Sequence, residues 1–224
     1  MDINYGFFII LVPVILFSLT IHEYAHALVA YRLGDDTAKN LGRLSLNPIV
    51  HLDILGTLLL FIVHFGWAKP VPVDPRNFKN PKKDMLLVAL AGPVSNILTA
   101  IVAAVILKAI FESLTPAGIP TGSEVDVIVR MLVWFIYIGI VLAVFNMIPI
   151  PPLDGSRVLY GLLPDKIALR YARVEMYGIL VIFALFIFGG NFLGYFIRIP
   201  VAGFIQMCNF SYSELEIIMR AMNP

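Results

Sequence analysis

The chain has 224 residues, of which 59% are hydrophobic and only 14% charged, with a formal net charge of +1. A soluble domain carries about 25% charged residues, so the composition excludes an ordinary water-soluble fold, and the charge balance gives no basis for nucleic-acid binding. Cys208 is the only cysteine, which excludes an internal disulfide and any cysteine-based metal cluster.

The apolar runs divide the chain into six segments. Tyr5 to about Arg32 is the first, with no basic region before it, so it does not read as a cleaved signal peptide. It carries His22-Glu23-Tyr24-Ala25-His26. Ile54 to Gly66 is shorter than the roughly 20 residues a span requires, and reads as a re-entrant or short hydrophobic segment. A Pro-rich, basic stretch follows from Trp67 to Lys83. Residues 66–77 read as extended chain, because residues before proline avoid helix. Such a loop is either an interfacial segment anchored by Trp67 or an edge on which an unwound peptide can pair. Asp84 to Phe111 and Val127 to Ile150 are two further full-length runs. Val174–Phe188 and Phe192–Met207 complete the set, separated by the turn signal Gly189-Gly190-Asn191. Beyond them, Glu214, Glu216 and Arg220 read as a solvated face. The expected fold is an all-α polytopic membrane protein: about five transmembrane helices, a re-entrant or short hydrophobic segment and an extended membrane-associated loop. Residues 1–224 form a single membrane-embedded domain in this reading, with a core over 1–160 and C-terminal helical segments over 161–224.

Loop charges orient the spans. Arg32, Lys39 and Arg43 follow the first run; Lys69, Arg76, Lys79, Lys82 and Lys83 precede the 84–111 run; Arg157, Lys166, Arg170 and Arg173 follow the third full run. Residues 112–126 hold Glu112, Glu124 and Asp126 and no basic residue. Lys and Arg mark the cytoplasmic side. All basic loops share that side only if 54–66 dips in and returns to the same face.

His22 and His26 stand one turn apart on one helical face, the spacing of a helical zinc-protease motif. Ionisable groups at membrane depth are costly and mark functional sites. Zinc is held by three protein ligands with a fourth position left for water, whose pKa the metal lowers to about 7. Glu23 can take the proton from that water and deliver it to the leaving amine. The third ligand is open among His51, His64, Asp53 and Asp154 on these grounds. Asp154 stands out because it ends Asn146-Met147-Ile148-Pro149-Ile150-Pro151-Pro152-Leu153-Asp154-Gly155. Prolines this dense cannot continue a helix, and an unwound backbone at membrane depth lines protein or a water-filled cavity. With the first span and the third full span both running outside to inside, the histidines and Asp154 reach one depth.

The histidine motif in the first span, together with Asn-x-x-Pro-x-Pro-Pro-Leu-Asp-Gly and Ala91-Gly92-Pro93, resembles the site-2 protease family of intramembrane zinc metalloproteases. The resemblance runs from the first span through Asp154, to compact members without an inserted PDZ or CBS domain. It implies that His22, His26 and Asp154 bind one Zn2+, that Glu23 is the general base, and that Asn146 lies near the bound substrate strand. It further implies a zinc endopeptidase in the cell membrane, its active site toward the cytoplasmic side, acting on transmembrane protein substrates within the lipid bilayer. Self-association into a homo-oligomer is compatible with this reading, and nucleic acid has no part in it. Two other readings are a catalytically silent relative that binds membrane proteins and a metal transporter. Intact His22, Glu23, His26 and Asp154 speak against the first. Convergence of the polar groups on one depth speaks against the second.

Overall fold

A computed structural model describes residues 5–56, 58, 68–114, 119, 120, 122–173 and 175–222. Nine helices lie among them: α1 (Tyr5–Arg32), α2 (Thr37–Asn40), α3 (Pro81–Ser113), α4 (Glu124–Asn146), α5 (Asp154–Leu162), α6 (Asp165–Arg173), α7 (Gly178–Phe188), α8 (Gly190–Met207) and α9 (Tyr212–Met222). The fold is all-α, with no strand among the described residues and one isolated antiparallel bridge between Leu52 and Ala68. The helix starts follow local chemistry. Pro81 opens α3, where a missing N–H costs nothing, and Asp84 in its first turn accepts the Asn80 N–H at 2.9 Å. Ser123 caps α4 by accepting the Asp126 N–H at 3.2 Å.

The core of the fold is α3, which packs against α1 on one side and α4 on another. Small residues line these contacts: Ala89, Gly92, Ala100, Ala103 and Ala104 of α3 are buried. Gly139 of α4 lies against α3 so closely that a β-carbon there would come 2.8 Å from the Asn96 carbonyl oxygen. Small side chains let membrane helices approach and gain dispersion contacts where lipid offers no hydrophobic drive. The outer face of α3 carries exposed Ile97, Leu98, Ile101, Val102, Val105 and Ile106. Water disfavours an apolar stripe of this extent, and acyl chains cover it without cost.

Three helices, α1, α3 and α4, are long and apolar enough to cross a membrane, and a fourth crossing results if the bent pair α6 and α7 counts as one span. The expected count of about five crossings is not confirmed among the described residues. Gly189 ends α7 after 11 residues, and α8 carries Arg198 within its 18. Of the solvated face expected of Glu214, Glu216 and Arg220, Glu216 and Arg220 are exposed and Glu214 is not. Glu214 is buried and its carboxylate accepts the Ser211 N–H. Arg220 lies 3.6 Å from the buried Asp126, which Arg130 also meets at 3.1 Å. Ile217, Ile218 and Ala221 of α9 join Leu107, Phe111, Val129 and Val133 in one apolar cluster. The C-terminal helix therefore closes the end of the α3–α4 pair that lies away from the histidines.

At the opposite end the basic loops come together. Arg43 Nη2 donates to the Lys69 carbonyl at 2.5 Å, and Lys82 Nζ donates to Asp165 Oδ1 at 2.7 Å and to the Leu163 carbonyl. The Lys69 N–H donates to the His51 carbonyl at 2.8 Å, beside the Leu52–Ala68 bridge. Residues 51–52 and 68–69 thus lie side by side. Most of the course of 54–66, His64 included, lies outside the described residues.

Candidate metal centre

His22 and His26 sit on the inner face of α1, 5% and 8% exposed. Their Nε2 atoms are 3.0 Å apart. Asp154 arrives from a different part of the chain. After Asn146 ends α4, short turns carry the backbone through the prolines: Ile148 N–H donates to Phe145 O, Ile150 N–H to Ile148 O, and Leu153 N–H to Ile150 O. Asp154 is then the first residue of α5. Gly155 makes this entry possible, since a β-carbon there would collide with the Met147 and Ile148 carbonyls. Asp154 Oδ2 stands 3.1 Å from His22 Nε2 and 3.3 Å from His26 Nε2. It is buried, with no hydrogen-bond partner beyond this group.

These three side chains form a group able to hold a metal ion. Ligand atoms about 2.0–2.1 Å from a tetrahedral zinc stand about 3.3 Å apart, close to the separations here. Both imidazoles are held through the nitrogen that faces away from the site. A carbonyl only accepts, so His26 Nδ1 donates to Val88 O at 2.7 Å and leaves Nε2 with its lone pair. His22 Nδ1 lies 3.0 Å from the side-chain amide of Asn96, which is wholly buried. Such contacts set ring orientation and tautomer in metal sites. Gly92 supplies the space: a β-carbon there would overlap His26 Nε2 together with His22 Cε1 and Nε2. Two nitrogens and one carboxylate oxygen, buried and mutually oriented, fit zinc.

Glu23 is half-buried, and its Oε2 accepts the Val71 N–H at 3.0 Å. Pro70 and Pro72 have no N–H, so Val71 carries the only backbone donor between Lys69 and Val73. That donor is engaged on Glu23 and is not free to pair with a peptide. The remaining sequence candidates lie elsewhere. His51 is buried with its Nε2 donating to Ser45 O at 2.8 Å, and Asp53 accepts the Gly56 N–H at 2.8 Å. Asn47 caps a short 3-10 turn by accepting the Ile49 N–H. Asn146 donates to Leu142 O of its own helix at 3.0 Å and is not part of the metal-holding group.

Asp35 is a residue that sequence reasoning does not single out. It has no exposed surface. It accepts from the Thr37 hydroxyl at 2.5 Å, from Asn77 Nδ2 at 2.7 Å and from the Asp74 N–H at 2.8 Å, tying the end of α1 to the extended segment. Burial pushes its carboxyl upward, but these donors outweigh that and hold it below the usual carboxylate range. A lowered native pKa stabilises the fold fully above about pH 4, the value for a free aspartate. The contribution is lost as pH falls through the native value. Thermal denaturation in detergent from about pH 2 to 7 is expected to show Asp35→Asn less stable than wild type at neutral pH, with the gap narrowing as acid is added.

Asn96, Gly92, Val88 and Val71 are likewise outside the sequence-derived ligand set, although Gly92 stands in the Ala91-Gly92-Pro93 motif. A lone asparagine one turn after that glycine, inside an apolar span, is the available signal for Asn96.

Similarity to known proteins agrees with the geometry. The family model described as peptidase family M50 matches residues 8–189. The protein named "Putative zinc metalloprotease YwhC" from Bacillus subtilis (strain 168) is 42% identical over 179 residues, which cover 79% of this chain and 80% of that protein. The proteins named "Putative zinc metalloprotease Rip2" from Mycolicibacterium smegmatis (strain ATCC 700084 / mc(2)155) and Mycobacterium tuberculosis (strain ATCC 25618 / H37Rv) are 28% and 26% identical over 186 residues, covering 81% of this chain and 68% of each. No solved structure gives a significant match. With a match that begins in α1 and ends past α7, the chain belongs to peptidase family M50, the site-2 protease family of metalloproteases.

Proposed function

We propose that this protein is an intramembrane zinc endopeptidase that hydrolyses peptide bonds in or near transmembrane segments of membrane proteins. The observation that carries the reading is the meeting of His22 and His26 from an apolar helix with Asp154 from a proline-broken one, at separations suited to one ion. In this reading His22 Nε2, His26 Nε2 and the Asp154 carboxylate hold the zinc. Bound zinc supplies Lewis acidity, which makes water a competent nucleophile near neutral pH.

The chain's own groups do the rest. Glu23 is the base. Its Oε2 is held by Val71, and Oε1 is left to take a proton from the attacking water and return it to the departing amine nitrogen. The buried walls around His22 and His26 exclude bulk water and so strengthen each electrostatic contact. Asn146, at the last turn of α4 just before the proline break, is assigned to the substrate backbone, which must be extended before attack. The basic loops gathered at the Asp154 end support a cytoplasm-facing site in a multi-pass protein of the cell membrane. The substrates in this reading are transmembrane proteins, approached from the bilayer.

The test is metal analysis and cleavage of a model transmembrane substrate by purified protein. Wild type is expected to carry about one zinc per chain and to cleave. Glu23→Gln is expected to keep the zinc and lose roughly 100- to 10,000-fold in kcat, the usual contribution of a general acid–base group. Full activity in Glu23→Gln would sink the assignment of the base.

A further inference from the structure

The extended segment from Lys69 to Asp74 touches the base of the proposed reaction, and it is braced at both ends. At one end the Lys69 N–H donates to the His51 carbonyl at 2.8 Å and the Lys69 carbonyl accepts from Arg43 Nη2. At the other the Asp74 N–H donates to Asp35 Oδ2 at 2.8 Å, and Asn77 Nδ2 to Asp35 Oδ1 at 2.7 Å. Asp35 is itself fixed to α1, since its N–H donates to the Ala30 carbonyl at 2.9 Å. Between the braces run Pro70, Val71, Pro72, Val73 and Asp74, followed by Pro75. Proline fixes its own φ near −65° and holds the residue before it in extended conformations. Lys69, Val71 and Asp74 all precede a proline, so little torsional freedom is left. Val73 packs with Ala30, Phe78, Met85 and Val88 in a buried cluster, which anchors the middle of the segment to α1 and α3.

A hydrogen bond from a backbone donor to a carboxylate is directional and stronger than a neutral one. A glutamate without such a partner samples several rotamers, and misplacing a catalytic group by about 1 Å costs on the order of 100-fold in rate. We propose that residues 69–74 act as a rigid strap whose Val71 N–H orients Glu23 for proton transfer, with Asp35 as the positioning residue that sets the strap. The inference rests on Glu23 being the base. It also accounts for Pro70 and Pro72, which carry no N–H and leave that of Val71 as the one donor between them.

Val71→Pro removes that N–H and little else, in a run already built of prolines. In the zinc-loaded full chain acting on a model transmembrane substrate, kcat is expected to fall about tenfold or more, the worth of one hydrogen bond to a charged group. KM is expected to stay within about twofold and zinc content at the wild-type level, since neither depends on base orientation. Asp35→Asn is expected to lower kcat in the same direction. Amide hydrogen exchange reads the contact without activity: a peptide spanning Pro70-Val71-Pro72 reports one internal amide. Its exchange is expected to quicken at least about tenfold in Glu23→Ala, as a protecting hydrogen bond is removed. An unchanged or raised kcat in folded, zinc-loaded Val71→Pro overturns the proposal, and so does a Val71 amide that exchanges equally fast with and without the Glu23 carboxylate. If Val71→Pro does not fold, the exchange experiment decides alone. Absence of cleavage by wild type would count against the protease reading, while the exchange experiment would still decide the strap.

Discussion

Replacing Gly92 with alanine is expected to abolish zinc binding, and with it cleavage, in a protein that still folds. The added β-carbon falls on His22 Cε1 and on the Nε2 atoms of His26 and His22, the two nitrogens that would hold the ion. Neither ring can step aside cheaply. His26 is tied through Nδ1 to Val88 O at 2.7 Å, and His22 lies 3.0 Å from the Asn96 amide. Moving them leaves buried polar groups unpaired, at about 1–3 kcal/mol each. The overpacking itself costs about 1–3 kcal/mol, a tolerable loss for a bundle whose helices meet over long interfaces. The measurement is zinc content by elemental analysis beside a helix signal by circular dichroism. The expected pair is a fall from about one zinc per chain to almost none and an unchanged spectrum. Wild-type zinc content in Gly92→Ala would mean that the ion sits elsewhere.

The second large effect concerns Asn96. With a metal on Nε2, the proton of His22 resides on Nδ1, and only an acceptor can receive it. The Asn96 amide has such an acceptor in Oδ1, which is buried and has no other partner; rotation of the amide presents it to the ring. Asn96→Leu keeps the volume and removes the acceptor. Zinc affinity, read by competition with a chelator of known strength, is expected to drop about 10- to 100-fold, the usual effect of deleting an outer partner of a metal-bound histidine. Asn96→Asp retains an acceptor oxygen and is expected to recover most of the affinity. Equal affinities in wild type and Asn96→Leu would remove Asn96 from the site. A leucine variant that also lost its helical fold would leave the aspartate variant to decide, since that one must then bind as wild type does.

The spans α1, α3 and α4 are readable in the sequence because a bilayer demands long apolar runs, and length plus composition is nearly all that a crossing requires. The approach of Asp154 to the histidines is readable from the proline break and loop charges together. The C-terminal third is not. Val174–Phe188 and Phe192–Met207 are apolar, but Gly189 and Arg198 divide them, and composition cannot say whether such pieces cross, bend or lie flat. Glu214 and Arg220 look like surface residues because charge normally seeks water. The burial of Glu214 depends on the Ser211 N–H, and the exposed Arg220 still reaches Asp126, far away in sequence.

By itself, the sequence determined the helical membrane class, the pairing of two motifs and the candidate metal ligands. Those features rest on local composition, on spacing along one helix for His22 and His26, and on the proline-dense motif that carries Asp154. The tertiary structure decided which neighbours hold those residues in place. Val88 and Asn96 face the imidazoles, Gly92 makes room for them, and Val71 meets Glu23. The Val88 and Val71 contacts use a backbone carbonyl and a backbone N–H, which nearly every residue type carries, and Gly92 acts through a missing side chain. Pairings of that kind leave no mark in the order of residues, so only the packing of α1, α3 and the proline strap reveals how the metal site is held.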